Sequence, residues 1–293
     1  PGEVLVIRYQ GLSGSVLPVT GYIYPHVNWG VLRQALPFAE ILMPFTYGFD
    51  RQGSLVTLND TRFIALAKEY GAKPYLHLST LTPEGTFSSA MAALLFEDAE
   101  LRRNLVGNIL DTVKRLGYEG VDVDFEYVEG RYAGQYVEFL AYLTRALGDL
   151  GLIVAVAPKE RADQQGLLYE GHDYAAIGRI ADGVLVMTYE WGYTYSSPRA
   201  VAPTNWIRRV LDYAVTDIPP EKIFMGVPNY GYNWPLPWVE GETRATSLGN
   251  AEAGDLAARY GAEILSSEQP QAPYFRYTAS DGHRHEGWFG DAR

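Results

Sequence analysis

The 293-residue sequence contains no cysteine, which excludes disulfide bonds, thiolate metal sites and cysteine nucleophiles together. It also has no run of about 18 apolar residues, so it predicts no membrane span. Basic residues are outnumbered, with 24 Lys and Arg against 35 Asp and Glu, and the net charge of −11 argues against nucleic acid and anionic membranes as partners. A hydrophobic content of 47% still supports a full core for one barrel or two ordinary domains.

Histidine is scarce as well, and the five histidines do not form a zinc-binding set. His283 and His285 lie in a predicted hairpin, and His26 and His172 lie in predicted loops. His77, on a predicted strand, is explained equally well as a hydrogen-bonded core residue and as a sugar contact. Sites for Ca²⁺ or Mg²⁺ usually gather carboxylates from a loop rather than from one strand. We therefore predict neither a metal site nor a cofactor.

The most informative feature that is present is an acidic ladder inside the apolar run GYEGVDVDFEYV (117–128). On a β-strand alternate side chains share a face, so Asp122, Asp124 and Glu126 point one way and the apolar residues between them point the other. Burial and like-charge repulsion favour neutral carboxylic acids, which lets a glutamic acid donate a proton near neutral pH. The alternative is the solvated face of an antiparallel strand. Because acidic residues are depleted in strands, we favour a functional site.

Short apolar strands alternate with amphipathic helices along the chain. We predict seven strands, at 20–25, 41–49, 73–80, 120–128, 152–159, 182–191 and 222–234. Helical periodicity and end signals predict helices within 61–71, 97–117 and 204–215. Such alternation implies a parallel sheet, either a barrel or an open doubly wound sheet. An open sheet has helices on both faces and no polar interior for three carboxylates, so we predict an α/β fold, a TIM (β/α)8 barrel.

No eighth strand can be assigned after the seventh. A proline-rich loop is followed by a helix candidate at 250–264 and by a hairpin candidate at 273–289, whose turn is Asp281-Gly282. We therefore predict a barrel over 20–293 that lacks its last strand, with 235–290 as a loop, helix and hairpin insertion after strand seven. The open edge beside strand one is expected to be covered or mobile.

Residues 119–126 resemble the D-x-x-D-x-D-x-E signature of glycoside hydrolase family 18, the chitinase-like barrels, with Glu119 at the first Asp position. MTYEWGY (187–193) and GVPNYGYNW (226–234) resemble the family's sixth and seventh strand segments, in the same order, although HLST (77–80) lacks the Ser-x-Gly-Gly of typical chitinases. The segments beginning at MTYEWGY and at IFMGVPNYG are together most similar to the spore-germination and cortex-lytic branch, bacterial peptidoglycan N-acetylglucosaminidases that often carry LysM modules.

The N-terminal residues are a separate prediction. PGEVLVI (1–7) resembles the closing strand of a LysM peptidoglycan-binding module, and a plain linker strand explains it equally well. We predict that residues 1–19 form a linker, which includes the end of such a module if one is present.

The resemblance implies a role for each matching residue. Glu126 is expected to protonate the glycosidic oxygen, Asp124 to hold the substrate's acetamido N–H, and Asp122 to share a proton with Asp124. Tyr189 is expected to reach the acetamido group, whose oxygen acts as the nucleophile in place of a second carboxylate. The predicted substrate contacts are Glu190, Asn229 and Tyr230, from the matching motifs, and the strand-end aromatic residues Tyr22, Tyr47 and Trp191.

The resemblance thus implies a retaining glycoside hydrolase whose partner is an N-acetylglucosamine-containing glycan polymer. Peptidoglycan of the spore cortex is the expected polymer, and the expected location is extracellular, at the cell wall or the spore. A chitinase-type enzyme acting on chitin oligomers is an alternative. A catalytically silent lectin on the same barrel is another, since folds outlive their chemistry, but the acid Glu126 and its partners are present. The natural polymer, endo or exo action and the oligomeric state are left open.

Overall fold

The computed structural model describes residues 19–82 and 86–291. Within these residues the chain forms two compact units, each with its own β-sheet. The first unit comprises 19–82, 86–186 and 214–224, and the second comprises 187–213 and 225–291. The predicted linker at 1–19 therefore falls almost entirely outside the described residues.

The first unit alternates strands with helices. In chain order its elements are β1 (Thr20–Ile23), α1 (Trp29–Ala35), β2 (Ile41–Pro44), β3 (Gly48–Phe49), β4 (Leu55–Val56), α2 (Thr61–Glu69), β5 (Lys73–Ser79), α3 (Ser89–Glu97), α4 (Ala99–Leu116), β6 (Gly120–Asp124), α5 (Ala133–Leu147), β7 (Gly151–Val156), α6 (Tyr174–Ile180), β8 (Gly183–Val186) and, after the last turn of α7 (Thr204–Asp217), β9 (Ile223–Met225). Most of α7, residues 204–213, belongs to the second unit. Seven strands form one sheet in the order β1-β2-β5-β6-β7-β8-β9, and neighbours pair in parallel from β1 to β8. Among the described residues, β1 and β9 are the edges of this sheet and no eighth strand joins it.

Helix α4 shows how capping residues and apolar spacing in the sequence determine the bounds and the buried face of a helix. The carboxylate of Asp98 caps its first turn by accepting hydrogen bonds from the N–H groups of Glu100 and Leu101. Gly117 ends the helix in the left-handed conformation, with φ of 76°. Its buried residues include an apolar stripe at helical spacing: Leu101, Leu105, Ile109 and Val113. The predicted helix within 97–117 is confirmed.

Strand β6 is buried along its whole length. Val121, Val123 and Phe125 are fully buried, and the ring of Phe125 lies 5.7 Å from that of Tyr136 and 5.6 Å from that of Phe139, both on α5. The apolar face at the end of β6 therefore packs on the helix layer. The acidic face is on the side of the sheet that is turned away from these helices.

Several predicted strands are longer than the observed ones. The predicted strand 222–234 is divided, because Pro228 has no N–H for a sheet ladder: β9 joins the parallel sheet and the residues from Tyr230 onward join another. The strands predicted at 120–128 and 182–191 end at residues 124 and 186. The left-handed backbones of Tyr127 (φ 56°) and Glu190 (φ 64°) are incompatible with an extended strand at these positions.

The second unit is an antiparallel sheet with one helix of its own. Its elements are β10 (Tyr230–Leu236), β11 (Thr246–Gly249), α8 (Asn250–Arg259), β12 (Ile264–Ser267), β13 (Ala272–Thr278) and β14 (Arg284–Trp288), and the strand order is β11-β10-β14-β13-β12. The pair β13 and β14 confirms the predicted hairpin, with Gly282 at φ of 86° in its turn. β11 and β12 were not predicted from the sequence.

Two apolar clusters hold this second sheet. One is formed around the buried ring of Phe275 and contains Ala253 and Ala257 of α8. The other is formed around Trp234, which is fully buried and donates its indole N–H to the carbonyl of Ser196 at 2.6 Å.

None of the helices in the described part of the chain has both the length and the apolar character that crossing a bilayer requires.

Candidate active site

The acidic ladder lies where β6 ends. Asp122 and Asp124 are on the strand, and their exposed fractions are 0% and 5%. Glu126 is half-buried and lies two residues beyond the strand end. In parallel α/β folds the carboxyl ends of the strands form the face that binds ligands, so the structure places these three predicted residues where chemistry is expected.

Two side chains from other strands reach the carboxyl groups. The hydroxyl of Tyr22, on β1, donates a hydrogen bond of 3.0 Å to Oδ2 of Asp122. His77, on β5, is level with Asp122 in the parallel ladder, and its Nε2 lies 3.7 Å from Oδ2 of Asp122 and 3.6 Å from Oδ2 of Asp124. The predicted contact Tyr22 is therefore part of the carboxyl cluster.

His77 is held in place and uncharged. Its Nδ1 lies 2.7 Å from Oγ1 of Thr46, which also donates to Oγ of Ser79 at 3.0 Å. Complete burial lowers the pKa of His77 to about 3. A neutral imidazole contributes no positive charge, so it does not stabilise the ionised form of the neighbouring Asp residues.

The carboxyl pair is consequently biased toward holding a proton. Burial raises the pKa of Asp122 to about 7, against the opposing hydrogen bond from Tyr22. Burial, and then the charges of Glu126 and Asp122, raise the pKa of Asp124 well above its usual value. Oδ1 of Asp122 and Oδ1 of Asp124 have no hydrogen-bond partner within the described residues. The site can therefore store a proton near neutral pH and offer buried oxygen atoms to a ligand.

Tyr47, a predicted sugar contact, belongs to the core. Its side chain is fully buried, and its hydroxyl donates to the carboxylate of Asp60, which also accepts from Tyr118. Asp60 itself is only 1% exposed. A phenol enclosed in this way cannot stack on a polymer, so we leave Tyr47 out of the proposed substrate contacts.

The second unit brings together two other predicted residues. The carboxylate of Glu190 accepts hydrogen bonds from the hydroxyl of Tyr230 at 2.5 Å and from that of Tyr232 at 3.0 and 3.1 Å. Burial raises the pKa of Glu190, and the two hydroxyl donors oppose that shift. Tyr189 is half-buried and packs against the apolar cluster of this unit. Tyr232 was not predicted, although its two-residue spacing from Tyr230 on a strand puts both on one face.

Trp191 and Asn229 make other contacts within the second unit. Trp191 is 40% exposed, and its ring lies 5.3 Å from the ring of Trp206 in a surface groove of about 200 Å³. Asn229 is exposed, and its side-chain oxygen accepts from Asn250 at 3.3 Å. An exposed indole and an exposed amide are groups that can contact a sugar.

Residues 40–283 match the sequence family Glycosyl hydrolases family 18. The chain belongs to that family. Over 263 residues this family 18 chain is 36% identical to the "Cortical fragment-lytic enzyme" of Bacillus subtilis (strain 168), which covers 89% of the chain and 61% of the relative. The chain thus spans about 61% of the length of that curated relative.

Solved structures resemble the family 18 chain over nearly all of its length. The crystal structure of the Bacillus cereus spore cortex-lytic enzyme SleL matches with a TM-score of 0.90 at 31% identity, covering 96% of this chain and 67% of that one. The chitinase from Chromobacterium violaceum ATCC 12472 matches with a TM-score of 0.86 at 26% identity, covering 94% and 87%. With the parallel sheet of the first unit, these matches confirm the predicted TIM-barrel fold class.

An aromatic run that the sequence analysis did not predict leads away from the carboxyl cluster of this family 18 site. The ring of Phe45 lies 4.7 Å from that of His77, the ring of Tyr24 lies 5.2 Å from that of Phe45, and His26 stacks on Tyr24 at 5.4 Å. Tyr24 is 54% exposed. The signal was available, because two-residue spacing within the strand predicted at 20–25 puts the rings of Tyr22 and Tyr24 on one face.

No three His, Asp or Glu side chains among the described residues are arranged as ligands for a metal ion. The groups that the first unit brings together are the carboxyl groups of Asp122 and Asp124, a neutral imidazole and aromatic rings.

Proposed function

We propose that this chain is the catalytic barrel of a glycoside hydrolase that cleaves N-acetylglucosamine-containing peptidoglycan, with spore cortex as its polymer. The observation that carries the proposal is the buried pair Asp122 and Asp124 beside Glu126, at the carboxyl end of β6. This arrangement keeps protons on carboxyl groups near neutral pH, as general acid catalysis requires. Family membership and the similarity to two enzymes named for cortex lysis support the polymer.

Glu126 acts as the general acid in this proposal. It is half-buried at the strand end, and its charge is among the causes that raise the pKa of Asp124. A proton on Glu126 passes to the glycosidic oxygen as the bond to the anomeric carbon breaks. The same carboxylate then takes a proton from the water that opens the intermediate.

The nucleophile is the substrate's own acetamido oxygen, which attacks the anomeric carbon and forms an oxazolinium ion. Asp124 accepts the acetamido N–H and its negative charge stabilises that cation. Asp122 takes up the proton that Asp124 gives up, and its raised pKa supports this role. Competitive inhibition by a thiazoline analogue of the intermediate is expected, since it resembles the transition state. A sugar trapped covalently on a carboxylate would contradict this mechanism.

The remaining assignments extend the motif match. Tyr189 contacts the acetamido group, and Glu190 and Tyr230 bind sugar hydroxyl groups as a hydrogen-bonded unit. Asn229 and Trp191 add a polar and a stacking contact. The enzyme works outside the cell, at the wall or the spore, because its polymer is there.

The test is digestion of two polymers side by side by the full chain. Purified spore cortex peptidoglycan and defined chitin oligomers are incubated with equal amounts of the protein, and released fragments are quantified by mass spectrometry. Preferred release from cortex supports the proposal, and preferred release from chitin would replace it with a chitinase, which the similarity to the Chromobacterium violaceum enzyme makes the second candidate. Binding to either polymer without release would instead identify a lectin.

A further inference from the structure

The imidazole of His172 bridges two backbone groups at the carboxyl ends of neighbouring strands. Its Nδ1 accepts a hydrogen bond from the N–H of Ala157 at 2.9 Å, directly after β7. Its Nε2 lies 3.0 Å from the carbonyl oxygen of Phe125, directly after β6. The ring is 1% exposed. Phe125 is the residue between Asp124 and Glu126, so the bridge ends on the backbone that carries the acidic ladder.

The two hydrogen bonds define the tautomer. An amide N–H can only donate, so Nδ1 must be the unprotonated nitrogen of the ring. A carbonyl oxygen can only accept, so the proton is on Nε2. Burial lowers the pKa of His172 to about 4, which keeps the ring neutral over the pH range in which both bonds are needed.

The segment that carries His172 is tied back to β7 by further bonds. The hydroxyl of Tyr174 donates to the carbonyl of Ala157 at 2.5 Å and accepts from the N–H of Lys159 at 3.0 Å. The buried ammonium group of Lys159 donates to the carbonyl of His172 at 3.2 Å. These bonds make the segment a rigid support for the imidazole.

The approach of this segment to the acidic strand is close. A Cβ atom at Gly171 would lie 2.4 Å from the carbonyl oxygen of Val128, a distance that no side chain tolerates. Between the two contact points, Tyr127 has the left-handed φ of 56°. A non-glycine residue keeps that conformation only where its surroundings impose it. Residues 125 to 128 are therefore held on the histidine segment at both ends.

We propose that His172 is a positioning residue for Glu126, an inference that rests on the proposed role of Glu126 as the acid. The side chain of Phe125 is fixed by the rings of Tyr136 and Phe139, and its carbonyl group is fixed by His172. Because the side chain and the carbonyl group of Phe125 are both held, the peptide plane that leads into Glu126 is fixed. The Cα–Cβ bond of Glu126 then has one direction. Glu126 then points its carboxyl group at the scissile oxygen without a further search among backbone conformations.

Two amide substitutions separate the two bonds. His172→Gln carries an amide nitrogen near the place of Nε2 and keeps a donor for Phe125. His172→Asn carries an amide oxygen near the place of Nδ1 and keeps an acceptor for Ala157, but it leaves the Phe125 carbonyl without its donor. Both variants and the wild type are assayed as the full chain on soluble cortex fragments, with kcat, KM and the pH dependence of kcat measured.

We expect His172→Asn to lower kcat on the order of 10²-fold at a KM within about twofold of wild type, because misplacing a catalytic group by about 1 Å has this effect. We expect His172→Gln to retain most of the wild-type kcat. The limb of the pH profile that reports the acid should move in His172→Asn and stay in place in His172→Gln. Equal losses in two folded variants, or full activity of His172→Asn, would overturn the positioning role.

Folding and the underlying function are checked separately. Thermal unfolding of each variant is measured, and if His172→Asn does not fold, Tyr174→Phe takes its place, because it loosens the same support while keeping the ring. It should lower kcat about tenfold at unchanged KM, and an unchanged kcat would overturn the proposal. Glu126→Gln is run in parallel. If that variant is as active as wild type, the proposed function fails. If it is inactive while His172→Asn is unaffected, the positioning role alone fails.

Discussion

The hydroxyl of Tyr22 on β1 donates a hydrogen bond of 3.0 Å to Oδ2 of Asp122 on β6. In the strand order, β2 and β5 lie between these two strands. On a flat sheet, three inter-strand spacings would separate them by about 14 Å. The bond forms because the sheet curls and its inward side chains converge. Curling also creates the enclosed space in which carboxyl groups lose water and their pKa values rise.

The first prediction concerns this bond. Tyr22→Phe removes a donor to the ionised form of Asp122, and that donor lowers the pKa of Asp122. The pKa of Asp122 should therefore rise further above its wild-type value of about 7. Titration of carboxyl ¹³C signals by NMR measures this shift. Tyr24→Phe, which removes an exposed hydroxyl directly after β1, is the matched control and should leave the titration unchanged. An unaltered Asp122 titration in Tyr22→Phe would contradict the structure.

The second prediction is the effect of pH on stability. The pKa of Asp122 is about 7 in the folded chain, against the usual 3.8, so between these pH values the folded chain keeps a proton that the unfolded chain releases. The stability that this group contributes is complete below about pH 4 and is lost as the pH rises through 7. Asp122→Asn cannot titrate. Its free energy of unfolding relative to wild type should therefore increase from pH 4 to pH 7 by at least about 1 kcal/mol.

Chemical denaturation at each pH measures this difference. The buried histidines have lowered pKa values, so their contribution to the free energy of unfolding changes with pH in the opposite sense and falls as the pH falls. Because they are present in both proteins, this contribution cancels in the comparison. Asp163→Asn, at an exposed ion pair with Arg161, serves as the control and should show no comparable trend. A relative stability of Asp122→Asn that does not change with pH would mean that Asp122 is ionised in the folded chain.

The third prediction uses the leaving group to identify the acid. Glu126→Gln keeps the shape of the side chain but cannot donate a proton, so turnover of cortex glycan should fall by about 10²- to 10⁴-fold while binding survives. A 2,4-dinitrophenyl glycoside of N-acetylglucosamine leaves without protonation, so its cleavage should fall far less. Glu129→Gln, at the nearby carboxylate paired with Arg131, should behave as wild type on both substrates. A Glu126→Gln rate above about a tenth of wild type on glycan would exclude Glu126 as the acid.

The fourth prediction tests whether Tyr47 is a core residue or a sugar contact. Tyr47→Phe leaves buried Asp60 with the hydroxyl of Tyr118 and without that of Tyr47. We expect a loss of about 1 to 3 kcal/mol in the free energy of unfolding, with kcat and KM of the folded enzyme unchanged. Thermal or chemical unfolding and a kinetic assay on the same preparation give both quantities. A raised KM with unchanged stability would restore Tyr47 to the sugar contacts.

The sequence was most informative where local pattern and burial agree. The alternation in β6 predicted both its buried acidic face and its apolar face, and the capping signals around Asp98 and Gly117 predicted α4. Strand ends were predicted too late, because apolar alternation continues past the point where a left-handed residue such as Tyr127 turns the chain.

Contacts between distant segments were beyond such reasoning. His77 joins the carboxyl cluster only because the register of β5 and β6 puts it level with Asp122. The position of Tyr47 near a strand end predicts a sugar contact, and its hydrogen bond to Asp60 shows that it is a core residue instead. His172 lies in a loop, and its role depends on two backbone groups whose positions no sequence period encodes.

The last prediction is the bond that is cut. Oxazolinium formation needs a free acetamido carbonyl on the sugar whose anomeric carbon reacts, and N-acetylglucosamine has one. In muramic lactam of spore cortex the 2-nitrogen is tied into a ring with the lactyl carbonyl, which cannot reach the anomeric carbon. Asp124 is expected to hold the acetamido N–H, and the lactam does not present an N–H and carbonyl in that geometry. Cleavage of cortex should therefore fall after N-acetylglucosamine and leave that sugar at the new reducing end.

Borohydride reduction of the digest followed by mass spectrometry identifies that end. Glucosaminitol ends are expected, and their yield should fall in parallel in Asp124→Asn and Glu126→Gln, because both residues act on the same sugar. Asp163→Asn, on the exposed surface, should give the wild-type pattern and yield. Reduced muramic lactam ends would mean that the lactam is the reacting sugar. Since a lactam cannot supply the acetamido oxygen, that result would require a different nucleophile and would reject the substrate-assisted mechanism even if Glu126 remained the acid.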